Sequence, residues 1–391
     1  MPGATPLKGL RVVELARILA GPWIGQTLAD LGADVVKVES PAGDETRRWG
    51  PPYVKAADGS NLDAAYFHCC NRGKRSVIAD FSAKADLQFV NALIDRADVV
   101  IENFKTDGLE KYGLDYPTVA QRNPRIVYCS VTAFGQTGPY AARPGYDAMI
   151  QAMSGIMDLT GEPGGSPQKV GVAIADIFTG LYGVIAIQAA LARRAQVGTG
   201  QHIDMALLDV MVSVLANQAL NYFVSGSVPK RIGNAHPSIV PYQTFAVQDG
   251  TVMIAVGNDA QFRRLCEVIG QVSLAGDARF ASNEDRVVHR HELSVLLSQK
   301  LADWQRDPLL SRLEEAGVPV GPVNTVEDVF RNPQILHRHM RVDLPDPAVS
   351  GGLIPTLRTP IRFSEAELTI ERPSPRLGAH TDELKRELGI T

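Results

Sequence analysis

One acidic side chain stands alone in an apolar stretch of this sequence. Asp176 lies in the segment 171–194, read GVAIADIFTGLYGVIAIQAALARR, and is the only charged residue between Lys169 and Arg193. An aspartate before an apolar run is a good helix N-cap, so the segment predicts a buried helix that begins at or just after Asp176. The position also suits a catalytic carboxylate, because a helix N-terminus would keep it ionised and an apolar pocket would make it more nucleophilic. The local pattern leaves both interpretations open.

Scattered basic residues stand near the ends of predicted strands. They are Lys74 and Arg75, Lys105, Lys111 and Arg143. Ligands of open α/β sheets bind in the loops that follow the strands, so these cations together indicate a phosphate-bearing ligand. The sequence has neither a GxxxxGK[ST] loop for phosphoryl transfer nor a GxSxG elbow for a serine nucleophile. A large phosphorylated molecule held by separate basic residues fits this pattern better.

The elements that must carry these residues alternate between strand and helix. Leu10–Glu14 predicts a strand, Ala20–Leu31 a helix and Asp34–Glu39 a second strand, which is a βαβ opening. The turn between the first strand and the helix reads RILAGPW and lacks the GxGxxG fingerprint, so a nicotinamide oxidoreductase has little support. Further strand–helix pairs continue to residue 132 and predict an α/β fold with a Rossmann-like parallel sheet.

Length and composition set the frame for this fold. The 391 residues suffice for two domains, with 45% hydrophobic and 21% charged residues. We predict a large domain over 1–225, completed by 326–391, and a small α/β domain over 226–325. A hairpin around Asp249 and Gly250 marks the small domain. The final stretch, HTDELKREL, predicts an amphipathic helix.

Charge and cysteine usage exclude several classes of partner. The net charge is −4, so no global positive field points to nucleic acid or to an anionic membrane. The most apolar stretches are interrupted before 18 residues, and none predicts a membrane span. The four cysteines and eight histidines lack metal-ligand spacing, so we expect no metal site. Reduced thiols and the absence of a leader at the N-terminus favour a cytoplasmic protein.

A set of short segments, individually weak, together carries a family resemblance. In chain order they include LKGLRVVELARILAGP, LADLGADVVKVE, GDETRRWGP, NRGKRSV, ADVVIENF, NPRIVYCSVTAFGQTGP, GYDAMIQAMSG, IADIFTG and GTGQHIDMALLD. In this order and spacing the chain resembles the class III CoA-transferases, the family that includes formyl-CoA:oxalate and carnitine CoA-transferases. The resemblance covers nearly the whole chain.

The resemblance implies a fold, a reaction and a site. It implies a large Rossmann-like domain with a smaller one, and two subunits threaded through each other as an interlocked, ring-like homodimer. Asp176 matches the family's nucleophile, and coenzyme A would be a substrate rather than a permanently bound cofactor. The positions that match CoA contacts of relatives are Leu19, Ala20, Asn103, Phe104, Lys105, Lys111, and Arg143 to Tyr146, with Lys105 and Lys111 facing the phosphates.

Two segments indicate the branch of the family. GNAHPSIVPYQTF and AVGNDAQFRRLCEVIG look most like the succinyl-CoA:glutarate enzymes. Ser40 and Leu19 replace an arginine and a glutamine of the formyl-CoA enzymes, and the glycine-rich loop of the oxalate enzymes is absent. A dicarboxylate needs a cation for its far carboxylate, and Arg17, Arg47 and Arg48 are candidates. Two glycine-containing segments are candidate lids against water: Gly161–Pro167 and Gly233–Pro237.

Two other functions remain alternatives. Alpha-methylacyl-CoA racemase has the same fold and uses a histidine in a GHD-type motif, which reads Gly145-Tyr146-Asp147 here. A tyrosine with a pKa of about 10 is a poor substitute for an imidazole near neutral pH, so the racemase reaction is disfavoured. A non-catalytic CoA-binding protein is the second alternative. Proton exchange beside the thioester, or CoA binding without turnover, would distinguish them.

Overall fold

The computed structural model describes residues 5–390, and its central feature is a parallel β-sheet. The strands are β1 (Arg11–Glu14), β2 (Asp34–Glu39), β3 (Tyr53–Lys55), β4 (Asn61–Ala64), β5 (Arg75–Ile78), β6 (Val99–Glu102), β7 (Val127–Thr132), β8 (Gln201–Ala206), β9 (Tyr242–Val247), β10 (Gly250–Ala255), β11 (Val320–Pro322), β12 (Arg341–Pro345) and β13 (Leu353–Leu357). The α-helices are α1 (Ala20–Asp30), α2 (Ala65–His68), α3 (Lys84–Asp95), α4 (Tyr116–Arg122), α5 (Asp147–Met153), α6 (Ile156–Leu159), α7 (Ile174–Val197), α8 (Leu207–Ser213), α9 (Ala216–Ser225), α10 (Asp259–Val268), α11 (Val272–Ala275), α12 (Asn283–Val288), α13 (Arg290–Leu301), α14 (Arg306–Glu315), α15 (Val326–Arg331), α16 (Pro333–His337) and α17 (Thr381–Leu388).

Six of these strands form the main sheet in the order β5-β2-β1-β6-β7-β8. Every neighbouring pair is parallel. Short apolar strands such as RVVE and VVIE suit a sheet that is covered on both faces. The predicted parallel α/β sheet is therefore confirmed. Its topology brings the segments after β1, β6 and β7 to one edge, where ligands of such sheets bind.

Helix α7 packs closely on α1, and glycines make this approach feasible. A Cβ on Gly183 would lie 2.4 Å from Cδ1 of Ile24, and one on Gly180 would lie 3.1 Å from the Ala20 carbonyl oxygen. Ala175, Ile187 and Ala190 of α7 join the buried core beside the sheet. Length and composition would allow α7 to span a membrane, contrary to the sequence expectation, although one face of the helix packs on α1 and on the sheet.

Two helix boundaries differ from the sequence predictions. Helix α7 begins at Ile174, with Ala173 at the N-cap position, so Asp176 lies inside the first turn and the prediction of Asp176 as N-cap is wrong. The apolar stretch over 210–223 predicts one helix from its sequence, but it forms parts of two helices, α8 and α9. They are separated near Ala216, whose φ of 45° is incompatible with a continuous α-helix.

The chain divides into two compact units. The first contains the described residues up to Ile156, Lys169–Leu220 and the chain from Leu336 onward, and therefore the whole parallel sheet. The second contains Met157–Gln168 and Asn221–Ile335, so its main segment extends beyond the predicted limits of 226 and 325 at both ends.

The second unit has its own antiparallel sheet and core. Its strand order is β11-β10-β9, and β9 and β10 form the hairpin predicted around Asp249 and Gly250. Phe262, Leu297 and Leu313 are among the helix residues buried against this sheet. Both segments predicted as lids belong to this unit. They contact each other, since the Gly233 N–H donates to the Gly161 carbonyl oxygen at 3.1 Å.

Candidate active site

A cleft at the carboxyl edge of the parallel sheet collects most of the predicted site residues. Its volume is about 190 Å³, and it lies entirely within the first unit. The predicted residues that line it are Leu19, Ala20, Asn103, Phe104, Lys105, Arg143, Tyr146 and Asp176. Lys111 does not line this cleft, because its ammonium lies over the Tyr112 ring, 4.7 Å from the ring centre.

Asp176 is a half-buried carboxyl group in this cleft. Burial raises its pKa, and the negative charge of Asp147 raises it further, to about 7. The interpretation of Asp176 as a catalytic carboxylate included the expectation that a helix N-terminus would keep it ionised. Instead, a substantial fraction is protonated at neutral pH, and the ionised form is a stronger nucleophile than an ordinary aspartate because its conjugate acid is weaker.

The first turn of α7 is capped from a different helix. Oδ1 of Asp147, in the first turn of α5, accepts a hydrogen bond from the Ala175 N–H at 2.8 Å. Its Oδ2 accepts from the Gln151 amide at 2.7 Å, and the Gln151 side-chain oxygen accepts from the Val170 N–H at 2.9 Å. Asp147 therefore fixes the backbone beside Asp176 while adding negative charge next to it. No pattern in the sequence indicated this contact between residues 28 positions apart.

The wall of the cleft includes a residue in an unusual backbone conformation. Ile18, between β1 and α1, has a φ of 71°, which β-branched residues rarely adopt. The Ile18 N–H donates to Oδ2 of Asp44 at 3.2 Å. Asn103 accepts from the Arg17 N–H at 2.9 Å and donates to the Arg17 carbonyl oxygen at 2.7 Å. Asn103, predicted as a CoA contact, thus also holds the turn that forms the wall of the cleft.

A buried group of ions lies beneath this turn. Nζ of Lys37 is 3.1 Å from Glu14 and 3.0 Å from Asp44, and it donates to the Ala16 carbonyl oxygen at 2.8 Å. Lys74 Nζ donates to Glu14 at 3.0 Å and to the Pro22 carbonyl oxygen at 2.9 Å. Burial alone would lower the pKa of Lys37, but the surrounding carboxylates raise it overall. These ions hold the backbone of the β1–α1 connection from below.

Two of the basic residues expected to meet a ligand are therefore structural. Lys74 is fully buried on Glu14. Arg75 is paired with Asp34 and with two glutamates of α17. The prediction that these two cations face a phosphate-bearing ligand is wrong, since their charges are already neutralised by protein carboxylates.

The three arginines considered for a substrate carboxylate lie in different environments. Arg47 is buried between Glu39 and Asp63, at 2.6 and 2.8 Å, and is not available to a substrate. Arg48 is exposed and donates to the Ala42 carbonyl oxygen at 2.6 Å. Only Arg17 of the three lines the cleft, where it forms an ion pair with Glu45, another residue of the cleft wall.

Two further groups near the site were not found from the sequence. The buried carboxyl of Glu102 accepts the Phe104 N–H at 2.8 Å, and burial raises its pKa to about 7. Burial also raises the pKa of the Tyr66 hydroxyl, and Asp176 contributes to the increase. Tyr66 stacks edge-on against Trp49 with ring centres 5.2 Å apart. Neither residue stands in a pattern that sequence reasoning could have separated from core or surface positions.

Comparison with known proteins identifies the family of this chain. A family model described as CoA-transferase family III matches residues 7–381. A succinate–glutarate CoA-transferase of Agrobacterium fabrum is 55% identical over 98% of this chain and 96% of its own length. The human succinyl-CoA:glutarate CoA-transferase is 38% identical over 98% of this chain and 86% of its own. The crystal structure of a CAIB/BAIF family protein from Brucella suis superposes with a TM-score of 0.88 at 59% identity, covering 98% of this chain and 100% of that one.

The fold and the matches together define the class of protein. The chain belongs to CoA-transferase family III, and the resemblance stated from its sequence is confirmed. It is an enzyme, a CoA-transferase, and CoA thioesters are the substrates of this class.

Proposed function

We propose that this enzyme moves CoA between succinyl-CoA and a short dicarboxylate such as glutarate, with Asp176 as the nucleophile. The observation that carries the proposal is the Asp176 carboxyl with its raised pKa, in a cleft that also holds the cations of Arg17, Lys105 and Arg143. The substrate pair is supported by the activities for which the Agrobacterium and human relatives are named. Coenzyme A is a substrate here and not a resident cofactor.

The reaction proceeds by exchange of acyl bonds on Asp176. Its carboxylate attacks the thioester carbonyl, forming a mixed succinyl–aspartyl anhydride and releasing CoA thiolate. The thiolate then attacks the aspartyl carbonyl, giving an aspartyl-CoA thioester and free succinate. The acceptor carboxylate reverses both steps, leaving its own CoA thioester and the original Asp176 carboxylate. No general base is needed, because each attacking group is already an anion.

Two basic residues of the cleft suit the CoA part of the substrate. Lys105 and Arg143 line it beside Asn103, Phe104 and Tyr146, and their charges would pair with the CoA phosphates. Lys111 lies outside the cleft, and we include it only as a more distant phosphate contact of a ligand that extends past Lys105.

We further propose that the enzyme is a cytoplasmic homodimer, with the interlocked arrangement that the family resemblance implies. Apolar side chains on α5 and α7 are exposed, notably Met149, Met153, Tyr182 and Ile185, the last at 62%. Large apolar side chains exposed on neighbouring helices are typical of a protein interface. The four cysteines are free thiols, which agrees with a reducing compartment.

Covalent trapping tests the nucleophile. The enzyme is mixed with succinyl-CoA and no acceptor, its intact mass is measured, and peptides from an acidic digest are sequenced. We expect a succinyl or CoA adduct on the peptide that contains Asp176, and no adduct and no turnover in Asp176→Ala. An adduct on a different side chain, or substantial transfer by Asp176→Ala, would refute the assignment. CoA binding without adduct or turnover, across several acyl-CoAs, would favour a binding protein instead.

A further inference from the structure

One guanidinium in the cleft is already paired with a carboxylate of the protein. Arg17 and Glu45 both line the cleft and form an ion pair with each other. Their side chains are 46% and 38% exposed, so the pair faces solvent rather than the core. The second carboxylate oxygen of Glu45 is itself shielded from solvent and has no hydrogen-bond partner among the described residues.

A neighbouring ion pair shows what a structural contact looks like in this segment. Arg47, two residues after Glu45, donates to both oxygens of Glu39 at 2.8 and 2.6 Å, and both side chains are almost fully buried. The Arg17–Glu45 pair lacks this burial. Exposed ion pairs contribute about 0–1 kcal/mol, so a competing anion can replace one partner at little cost.

The backbone under Arg17 is held much more firmly than its side chain. Asn103 hydrogen-bonds both the N–H and the carbonyl oxygen of Arg17, and Asp44 accepts the next N–H along the chain. The guanidinium lies 5.8 Å from the centre of the Phe104 ring. The head group can therefore change partner while its base stays fixed.

We propose that Arg17 binds the far carboxylate of a dicarboxylic substrate, and that Glu45 occupies this position in the empty site until the substrate displaces it. This inference rests on the proposed function. A guanidinium presents two parallel donors to a carboxylate. Arg17 and Asp176 line the same cleft of about 190 Å³, and the proposal places the two ends of the dicarboxylate on these two residues.

The displaced carboxylate sets the selectivity between acids. A dicarboxylate must displace Glu45 from Arg17. Its apparent affinity is therefore its intrinsic affinity multiplied by the fraction of time that Arg17 is free of Glu45. A monocarboxylate has no group for Arg17 and leaves the Arg17–Glu45 pair intact. Removing the charge of Glu45 should therefore increase the preference for dicarboxylates.

The test compares two acceptors of equal chain length, glutarate and pentanoate, with succinyl-CoA as donor. The measured quantity is the ratio of kcat/KM for glutarate to that for pentanoate. Arg17→Gln should lower this ratio about 10- to 100-fold, the effect of losing a charge-assisted hydrogen bond. Glu45→Gln should raise it by up to about 5-fold. Arg48→Gln, an exposed arginine three residues after Glu45 that lies outside the cleft, is the matched control and should leave the ratio unchanged.

Several outcomes would overturn the proposal. An unchanged ratio in Arg17→Gln would do so, as would a lower ratio in Glu45→Gln. An equal rise in KM for succinyl-CoA and acetyl-CoA in Arg17→Gln, with no change in the ratio, would show that Arg17 binds the CoA part instead. If the wild-type enzyme transfers CoA to neither acceptor, the proposed substrate pair fails, and this result is distinct from a wild-type enzyme that transfers well but does not depend on Arg17.

Discussion

Replacing Asp176 by asparagine should stabilise the folded protein at alkaline pH while abolishing transfer. Burial, and then the charge of Asp147, raise the pKa of this carboxyl from 3.8 to about 7. The folded state therefore holds the proton more tightly than the unfolded state does. Stability from this group is fully present below pH 3.8 and is lost progressively up to about pH 7, above which the loss is constant. Asparagine is neutral at every pH and avoids this loss.

The size of the effect follows from the difference between the two pKa values. At about 1.4 kcal/mol for each tenfold change, a rise from 3.8 to about 7 corresponds to about 4 kcal/mol. Asp176 is only half-buried, so solvent screening reduces this value, and we expect about 2–4 kcal/mol. Between pH 5 and pH 8, the advantage of Asp176→Asn over wild type should grow by about 2 kcal/mol.

Urea unfolding at pH 5 and pH 8, followed by tryptophan fluorescence, measures this difference. Trp23 and Trp49 belong to the same unit as Asp176, and Trp23 lies against Gly180 of α7. Asp303→Asn, at an exposed position of the second unit, is the control for removing one carboxylate. In the wild type, kcat/KM for succinyl-CoA should rise with pH and level off above about pH 7, because the ionised form is the nucleophile. An equal effect of Asp176→Asn at both pH values, or a variant less stable at pH 8, would refute the reasoning.

Two further predictions concern assembly and packing. Light scattering after size exclusion should give twice the 42.2 kDa of one chain. Ile185→Glu should lower this mass, because it places a charge on the exposed apolar face of α7. A single-chain mass for the wild type would contradict the homodimer. Gly25→Ala should destabilise the first unit by about 3–5 kcal/mol in urea unfolding, because its Cβ would lie 1.8 Å from Oε2 of the buried Glu14. Gly171→Ala, which has open space around the new Cβ, is the control and should have little effect. Equal stability of the two variants would show that Glu14 can move aside.

Local patterns were sufficient for the parts of the fold that depend on neighbouring residues. The apolar runs at Arg11–Glu14 and Asp34–Glu39, with the helix between them, gave the βαβ unit. The residues Asp249 and Gly250 gave the hairpin between β9 and β10. The order of the six strands could not be obtained in this way, because pairing such as that of β1 with β6 joins residues more than 80 positions apart.

A site residue could be predicted from the sequence only where its residue type differed from that of its neighbours. The isolated charge of Asp176 identified the cleft residue, but its cap comes from Asp147 on another helix. Lys74 and Lys105 look alike in the sequence, since each is a lysine near the end of a predicted strand. The fold buries Lys74 on Glu14 and leaves Lys105 exposed in the cleft. This separation depends on which carboxylates the folded chain brings together, and a single sequence does not contain that information.

Buried charges hold the turn at Ile18 in place, whereas the exposed charge of Arg17 on the same turn faces the cleft. Ile18 adopts a backbone conformation that costs of order 1–3 kcal/mol and persists only where surrounding contacts determine it. Lys37 and Asp44 supply those contacts from the buried side, through the Ala16 carbonyl oxygen and the Ile18 N–H. Buried ion pairs contribute little net stability, so their value here is to fix the position of this turn. This turn carries Arg17, whose exposed guanidinium lines the same cleft as Asp176 and is paired with Glu45.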